Sequence, residues 1–356
     1  MKRVFSFGVL CVMSAVFLSG CDDDKKGEVV GLSEQDSPMP GNAGRERTVD
    51  APKPVERDDE LDRAIRDATD STAEHEYAVA KLYAERLKAG KAKVEQVVEW
   101  CKKAADKGYA EAQMTLAGMY YYGVELGRDS SRAKEWFEKA AAAGNREADY
   151  YLGLMYLMGD GIARDTAKGV EEIKKSAESN IPKAMGFLGN LYWEGKFGVE
   201  KDARIAQQWL EKAAKKGDIT AAQFLGRIYY NGDGVEKNPE KAFKWYEKAA
   251  RLGDPQSEYI VAMMCLKGEG TKETPEEAVS WLKLAAGQDH VGAMALLSIC
   301  YSSGLGIKAD AEIGRVWKER ALKLQKEQEE KAATGNNPPS GEVTPGSGGM
   351  PKQGEL

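Results

Sequence analysis

Six of the seven tryptophans lie on one ruler, Trp100, Trp136, Trp209, Trp245, Trp281 and Trp317, separated by 36, 73, 36, 36 and 36 residues. Only a tandem repeat produces that spacing. The 73-residue step is two periods with one missed beat, which falls on Glu172. A period in the range of roughly 20 to 50 residues means stacked supersecondary units, none of which can bury its apolar face alone.

The fifth unit shows what each period contains. Ala221, Leu225 and Tyr229 stand at i, i+4 and i+8, and Ala242, Trp245, Tyr246, Ala249 and Ala250 at i, i+3, i+4, i+7 and i+8. Both are apolar stripes of amphipathic helices, so each unit is a helical hairpin. Seven residues before each tryptophan position stands a side chain suited to capping a helix: Asp129, Asp165, Asp202, Asn238, Thr274 and Asp310. Thr274-Pro275-Glu276-Glu277 adds proline at the first helical position and a glutamate placed for a capping box. Gly108, Gly144, Gly217 and Gly253 fall where second helices must end in a left-handed residue. Gly144-Asn145, Gly217-Asp218 and Gly253-Asp254 restart the next helix at once. The pairs Gly159/Gly161, Gly232/Gly234, Gly268/Gly270 and Gly304/Gly306 close the hairpin turns.

The recurring Leu152-Gly153-Tyr156, Leu188-Gly189-Tyr192 and Leu225-Gly226-Tyr229, with Gly-x-Gly, Lys-Ala, Trp-Tyr and Lys-Ala-Ala, resemble the Sel-1-like repeat family, a relative of the tetratricopeptide repeat. The resemblance covers residues 74–325. It implies an all-α, right-handed α-solenoid of about seven helix-turn-helix units. It also implies a non-catalytic scaffold that gathers partner proteins, in a family whose bacterial members are often secreted or envelope-bound. Three departures mark individual units: Val79-Ala80-Tyr83 is a degenerate first copy, Glu172 replaces a tryptophan, and Gly195-Lys196-Phe197-Gly198 lengthens the fourth turn by one residue.

The chain's ends carry different signals. Lys2 and Arg3 precede an apolar run over residues 4–18 and then Leu18-Ser19-Gly20-Cys21, which resembles a bacterial lipoprotein signal peptide. By that resemblance residues 1–20 are removed and Cys21 carries the lipid, which anchors the protein to the inner or outer membrane facing the periplasm. Residues 21–57, polar and punctuated by Pro38, Pro40, Pro52 and Pro54, read as a disordered tether. Residues 58–73 read as a cap, and residues 326–356 as a helical extension followed by a Gly/Pro/Ser-rich tail.

Charge and composition exclude several functions. A formal charge of −6 with no basic stripe gives nucleic acid nothing to hold. The two histidines, His75 and His290, lie too far apart in sequence to suggest a local zinc site or triad, and no cofactor motif is present. Ser131 and Lys134, like Ser280 and Lys283, match Ser-x-x-Lys, relevant because some cysteine-rich relatives are β-lactamases; neither pair has the companion motifs. A β-lactam or peptidoglycan hydrolase and a surface factor binding host proteins are the alternatives to a periplasmic scaffold. Of the three cysteines beyond Cys21, Cys101 reads as a small buried hydrophobe, while Cys265 and Cys300 fall on neighbouring helices where a disulfide could form.

The ruler tryptophans are expected to be core. A partner, an envelope protein or peptide, is expected on the concave face lined by the first helices. Reading outward positions from each tyrosine gives Tyr121, Tyr150, Asn190, Trp193, Arg227, Tyr230 and Tyr259 as candidate contacts. Aromatic and arginine side chains of this kind make interface hot spots, and Trp193 is the one tryptophan off the ruler.

Overall fold

The computed structural model describes residues 59–69, 72–124 and 126–333. The expected signal peptide, Cys21, the expected tether and the tail from 334 onward lie outside the described residues. Among the described residues the chain forms fifteen helices and no strand. It divides into two compact units, the second beginning at Met119.

In the first unit, α1 (Asp59–Thr69), α2 (Ala73–Lys88) and α3 (Val94–Asp106) pack in sequence, and α4 (Ala110–Tyr122) begins. Val79, Ala80, Val97, Cys101 and Ala104 are fully buried there. Tyr77 joins this core with its hydroxyl 2.9 Å from that of Thr115.

The second unit holds α5 (Ser130–Ala142), α6 (Arg146–Met158), α7 (Thr166–Glu178), α8 (Pro182–Glu194), α9 (Ala203–Lys215), α10 (Ile219–Asn231) and α11 (Pro239–Arg251). It continues with α12 (Pro255–Lys267), α13 (Pro275–Gly287), α14 (Val291–Ser303) and α15 (Ala311–Ala333). From α5 to α14 every helix is 13 residues long, about 20 Å. The first and second helices of each hairpin pack together, and each second helix packs on the next first helix. One hydrophobic core therefore runs from Leu157 to Ala321, as stacking of incomplete units requires.

The helix ends follow the sequence signals closely. Asp129, Asp165, Asp202, Asn238 and Asp310 each accept a backbone N–H from the first turn of the helix they start. Thr274 departs from expectation. It makes no capping bond to the backbone, and its hydroxyl lies 3.2 Å from the Glu277 carboxylate instead, so the reciprocal capping box does not close. Asn180 and Asp289, with φ of 68° and 62°, take the left-handed position that glycine fills after the other second helices. In the lengthened fourth turn Phe197 is also left-handed, at φ 54°.

The ruler itself needs correction. All six tryptophans are half-buried, packed at the margin of the core instead of inside it. In six of the seven units the next residue is the one that is sealed: Cys101, Phe137, Ile173, Leu210 and Leu282 are 0% exposed and Tyr246 is 7%, while Lys318 after Trp317 is exposed. At four of the six a cation stands one helical turn on. Lys103, Lys139, Lys212 and Arg320 hold their charges 4.1, 3.9, 4.5 and 5.4 Å from the rings of Trp100, Trp136, Trp209 and Trp317. A cation attracted to the ring face keeps water beside it, so the tryptophan seals a rim. Glu172 substitutes chemistry in kind: Lys175, again three residues on, pairs with its carboxylate at 3.3 Å and with fully buried Asp149 at 2.8 Å.

The sealed residue needs a recess, and the Leu-Gly step supplies it. A Cβ at Gly153, Gly189 or Gly226 would come within 2.6, 2.7 and 2.9 Å of Ile173, Leu210 and Tyr246 respectively. Cys101, Cys265 and Cys300 are buried free thiols, so the pairing considered for Cys265 and Cys300 is not formed. Burial pushes the Cys101 thiol up to about 12, which keeps it an unreactive hydrophobe.

In denaturant unfolding, Leu210→Ala is expected to cost about 2–5 kcal/mol, and Trp209→Leu, which keeps an apolar side chain at the rim, to cost less. A greater loss at Trp209 would return the tryptophan to the core.

Candidate functional site

The candidate contacts all lie in the second unit, and the repeat assigns them three kinds of neighbour. Residues one step after the first-helix tyrosine meet the next repeat's turn. Tyr121 lies beneath Arg128, whose guanidinium is 6.0 Å from its ring centroid and bonds Asp160 at 2.6 Å. Tyr230 donates its hydroxyl to Glu269 at 2.7 Å. Trp193 leaves no room for a side chain at Gly234 and stands edge-on to Phe224 at 5.6 Å. In the neighbouring units the equivalent glycines Gly161, Gly270 and Gly306 lie against the backbone at Ser130, Pro239 and Pro275. Trp193 thus fills the place that the lengthened turn has vacated.

Residues six steps before the tyrosine meet the residue that starts the next first helix. Gln223 donates to Asp254 at 2.6 Å. Tyr259 stacks on His290 with centroids 4.9 Å apart. In the fourth repeat this position is Gly186, where an added Cβ would sit 3.3 Å from Asp218 Oδ1. Burial raises the Asp218 carboxyl above its ordinary value, opposed by the Ala221 amide it accepts and by Lys183. Tyr150, one repeat earlier, packs edge-on to Phe187 at 6.0 Å and to Tyr151 at 5.2 Å. Burial raises its phenol, with the nearby Tyr122 and Asp218 adding to the rise.

The third row, two steps before the tyrosine, is different. Asn190 is only 6% exposed, and among the described residues its Oδ1 has no hydrogen-bond partner. Arg227, the same position one repeat on, lays its guanidinium 4.7 Å from the Phe224 ring centroid, and no salt bridge engages it among the described residues. The geometry therefore sorts the seven candidates: five are held by neighbouring side chains or turns, while Asn190 and Arg227 keep polar groups that the fold does not use. Residue type alone does not say which neighbour each would take, although aligning the repeats shows that His290 occupies the capping position of Asp218 and Asp254.

Comparison with known proteins agrees with this architecture. The Sel1 repeat profile matches seven consecutive segments, 77–109, 110–145, 146–180, 182–218, 219–254, 255–290 and 291–325. The chain belongs to the Sel1 repeat family. A protective antigen present in uropathogenic Escherichia coli strains, displaying an SLR fold, is 27% identical with a TM-score of 0.58; the match covers 74% of this chain but only 56% of the antigen. A Sel1 repeat protein from Oxalobacter formigenes is 32% identical with a TM-score of 0.52, covering 64% of this chain and 99% of that one. No curated protein matches the chain. Sel1 repeats generally act as non-catalytic scaffolds for protein–protein interaction.

In neither Ser-x-x-Lys pair does a hydrogen bond join serine to lysine among the described residues. Ser280 is exposed and donates its hydroxyl to the Glu276 carbonyl at 3.1 Å, a bond internal to its helix. Lys134 is paired with Glu138 at 3.3 Å. Among the described residues no three His, Cys, Asp or Glu side chains gather to hold a metal ion, and no helix is long and apolar enough to cross a membrane.

His290 gives the last Sel1 repeat a dependence on pH. Its Nδ1 accepts the Ala293 N–H at 3.0 Å, and its Nε2 lies 3.0 Å from Gln256 Oε1. Only the neutral ring can accept at Nδ1 while donating at Nε2. Burial lowers the imidazole pKa, against the opposing pull of Asp254. A folded pKa below the ordinary value of about 6.5 means that the stabilisation is present above that value and is lost as pH falls through the folded value. Melting temperature is expected to drop between pH 7.5 and 5 in the wild type and to drop less in His290→Asn, which keeps an uncharged cap.

Proposed function

We propose that this protein is a non-catalytic adaptor of the bacterial cell envelope, anchored by a lipid on Cys21, that holds a partner polypeptide along its row of first helices. The observation that carries this reading is the unbroken run of seven Sel1 repeats, whose first helices carry half-buried Arg227 over the Phe224 ring with no salt bridge among the described residues. Family membership supports the scaffold role, and the leader's resemblance to a lipoprotein signal supports the anchor. The other candidates then act mainly as a stiffener: Tyr121, Trp193, Tyr230 and Tyr259 hold adjacent repeats in register, presenting a surface whose shape is set before a partner arrives. Such preorganisation lowers the entropy cost of association.

A photo-crosslinking residue placed at position 263, the same row one repeat further on, in the full-length protein in cells is expected to give discrete protein adducts. The same residue at Gln208, exposed on the second helix α9, should give few; equal labelling at both positions would sink the first-helix surface. Separately, Cys21→Ser should move the protein from the membrane pellet to the soluble fraction, and continued sedimentation with membranes would rule out lipid attachment at that cysteine. The likeness to a protective antigen favours one further arrangement, display at the cell surface, which protease treatment of intact cells distinguishes from a periplasmic position.

A further inference from the structure

Two devices fix the fifth, sixth and seventh repeats against one another. The first is a turn: Gly270 and Gly306 lie so close to the backbone at Pro239 and Pro275 of the preceding repeat that neither place has room for a Cβ. Gly161 does the same at Ser130, between the second and third repeats. The second device is the side chain that starts the next first helix. Asp254 caps α12 and accepts from Gln223 of the repeat before at 2.6 Å, and His290 caps α14 and stacks on Tyr259 of the repeat before. Touching backbones and an engaged cap leave such a joint little freedom.

The fourth repeat lacks both devices on both sides. In its lengthened turn Gly198 stands where Gly161, Gly270 and Gly306 stand in theirs, yet nothing lies within 4 Å of where its Cβ would be. On the other side, the three atoms nearest the missing Cβ of Gly234 all belong to the Trp193 ring. The caps fail in parallel. α8 starts after Ile181, which supplies no capping side chain, and Asn180 before it is left-handed. Asp218 caps α10, but the residue facing it from the fourth repeat is Gly186, which has no side chain to bond it.

The fourth repeat still packs on its neighbours through rings and long side chains. Arg164 lies 6.0 Å from the Phe197 ring, Tyr150 meets Phe187 edge-on, and Lys183 pairs with Glu147 at 3.2 Å. Trp193 meets Phe224 edge-on, and Gln207 donates to the Tyr229 hydroxyl at 2.6 Å. Contacts of this kind keep repeats adjacent yet allow a tilt that touching backbones forbid. The repeat's own interior stays closed, with Leu188, Leu191 and Leu210 buried, so a tilt moves the hairpin without opening it.

We propose that the fourth repeat is a flexible joint, about which α5–α7 and α10–α15 bend as two stiffer blocks. Domain bending elsewhere is likewise absorbed by a few turn residues and by small sliding of packed helices. The motion belongs to the free chain and needs no partner. It varies the separation of α6 and α10, the first helices on either side of the joint.

Double electron–electron resonance with a genetically encoded spin-labelled residue, in the full-length protein in detergent, tests the joint. Glu171, Lys244 and Val316 are exposed at one equivalent position of the third, fifth and seventh second helices. Labels at 171 and 244 therefore span the fourth repeat, and labels at 244 and 316 span the sixth. The first distance distribution is expected to be about twice as broad as the second, as a hinge between stiffer blocks requires. Deleting Phe197 returns the turn to the length of its neighbours, and Ile181→Asn supplies the missing cap. Each change should narrow the 171–244 distribution and leave the 244–316 distribution as it was. Equal breadth in the two pairs, or folded variants that both leave the 171–244 breadth unchanged, would overturn the proposal. Where circular dichroism shows that neither variant folds, the comparison of the two pairs in the unaltered array decides.

Discussion

The structure depends on one recess. In the third, fourth and fifth repeats the side chain after the ruler position enters a gap in the first helix of its own hairpin. That gap exists because a glycine removes the Cβ that would obstruct Ile173, Leu210 or Tyr246. Interiors are close-packed, so a single methyl in that gap shifts one helix against the other. The hairpin's internal geometry sets the face offered to the next hairpin, and a small error there would be passed along the stack.

The repeat count, the helix boundaries and most caps were legible in the sequence because they are local. A carboxylate or amide before a helix finds its amide partner within three residues, as Asp129 and Asn238 do. The depth of the tryptophans was not legible, because periodicity identifies the buried face but not which residue of an adjacent pair lies deepest. Trp209 and Leu210 are next to each other, and the tryptophan is the one left at the rim, under Lys212. Thr274 shows a different limit. Its sequence fits a capping box, yet the hydroxyl finds the Glu277 carboxylate instead of a backbone amide.

The surface was legible by residue type and not by role. Tyr121, Tyr230 and Tyr259 have the chemistry of interface hot spots, and the structure engages them with Arg128, which bonds Asp160 of the next repeat, with Glu269 and with His290. Aromatic side chains serve interfaces between repeats as well as interfaces between proteins. What distinguishes Asn190 is its lack of an internal partner combined with its burial, and neither property can be read from one sequence.

The third repeat holds its own two helices together by different means. Where Trp100, Trp136, Trp209 and Trp317 each lie under a cation, it sets Lys175 between Glu172 and Asp149, with Arg146 3.3 Å from the same buried carboxylate. Charges lose less on dehydration as temperature rises, whereas apolar contacts gain little more. Along a stack held mostly by hydrocarbon, this ionic seam has its own thermal character, and warming shifts the weakest joint of the array away from it.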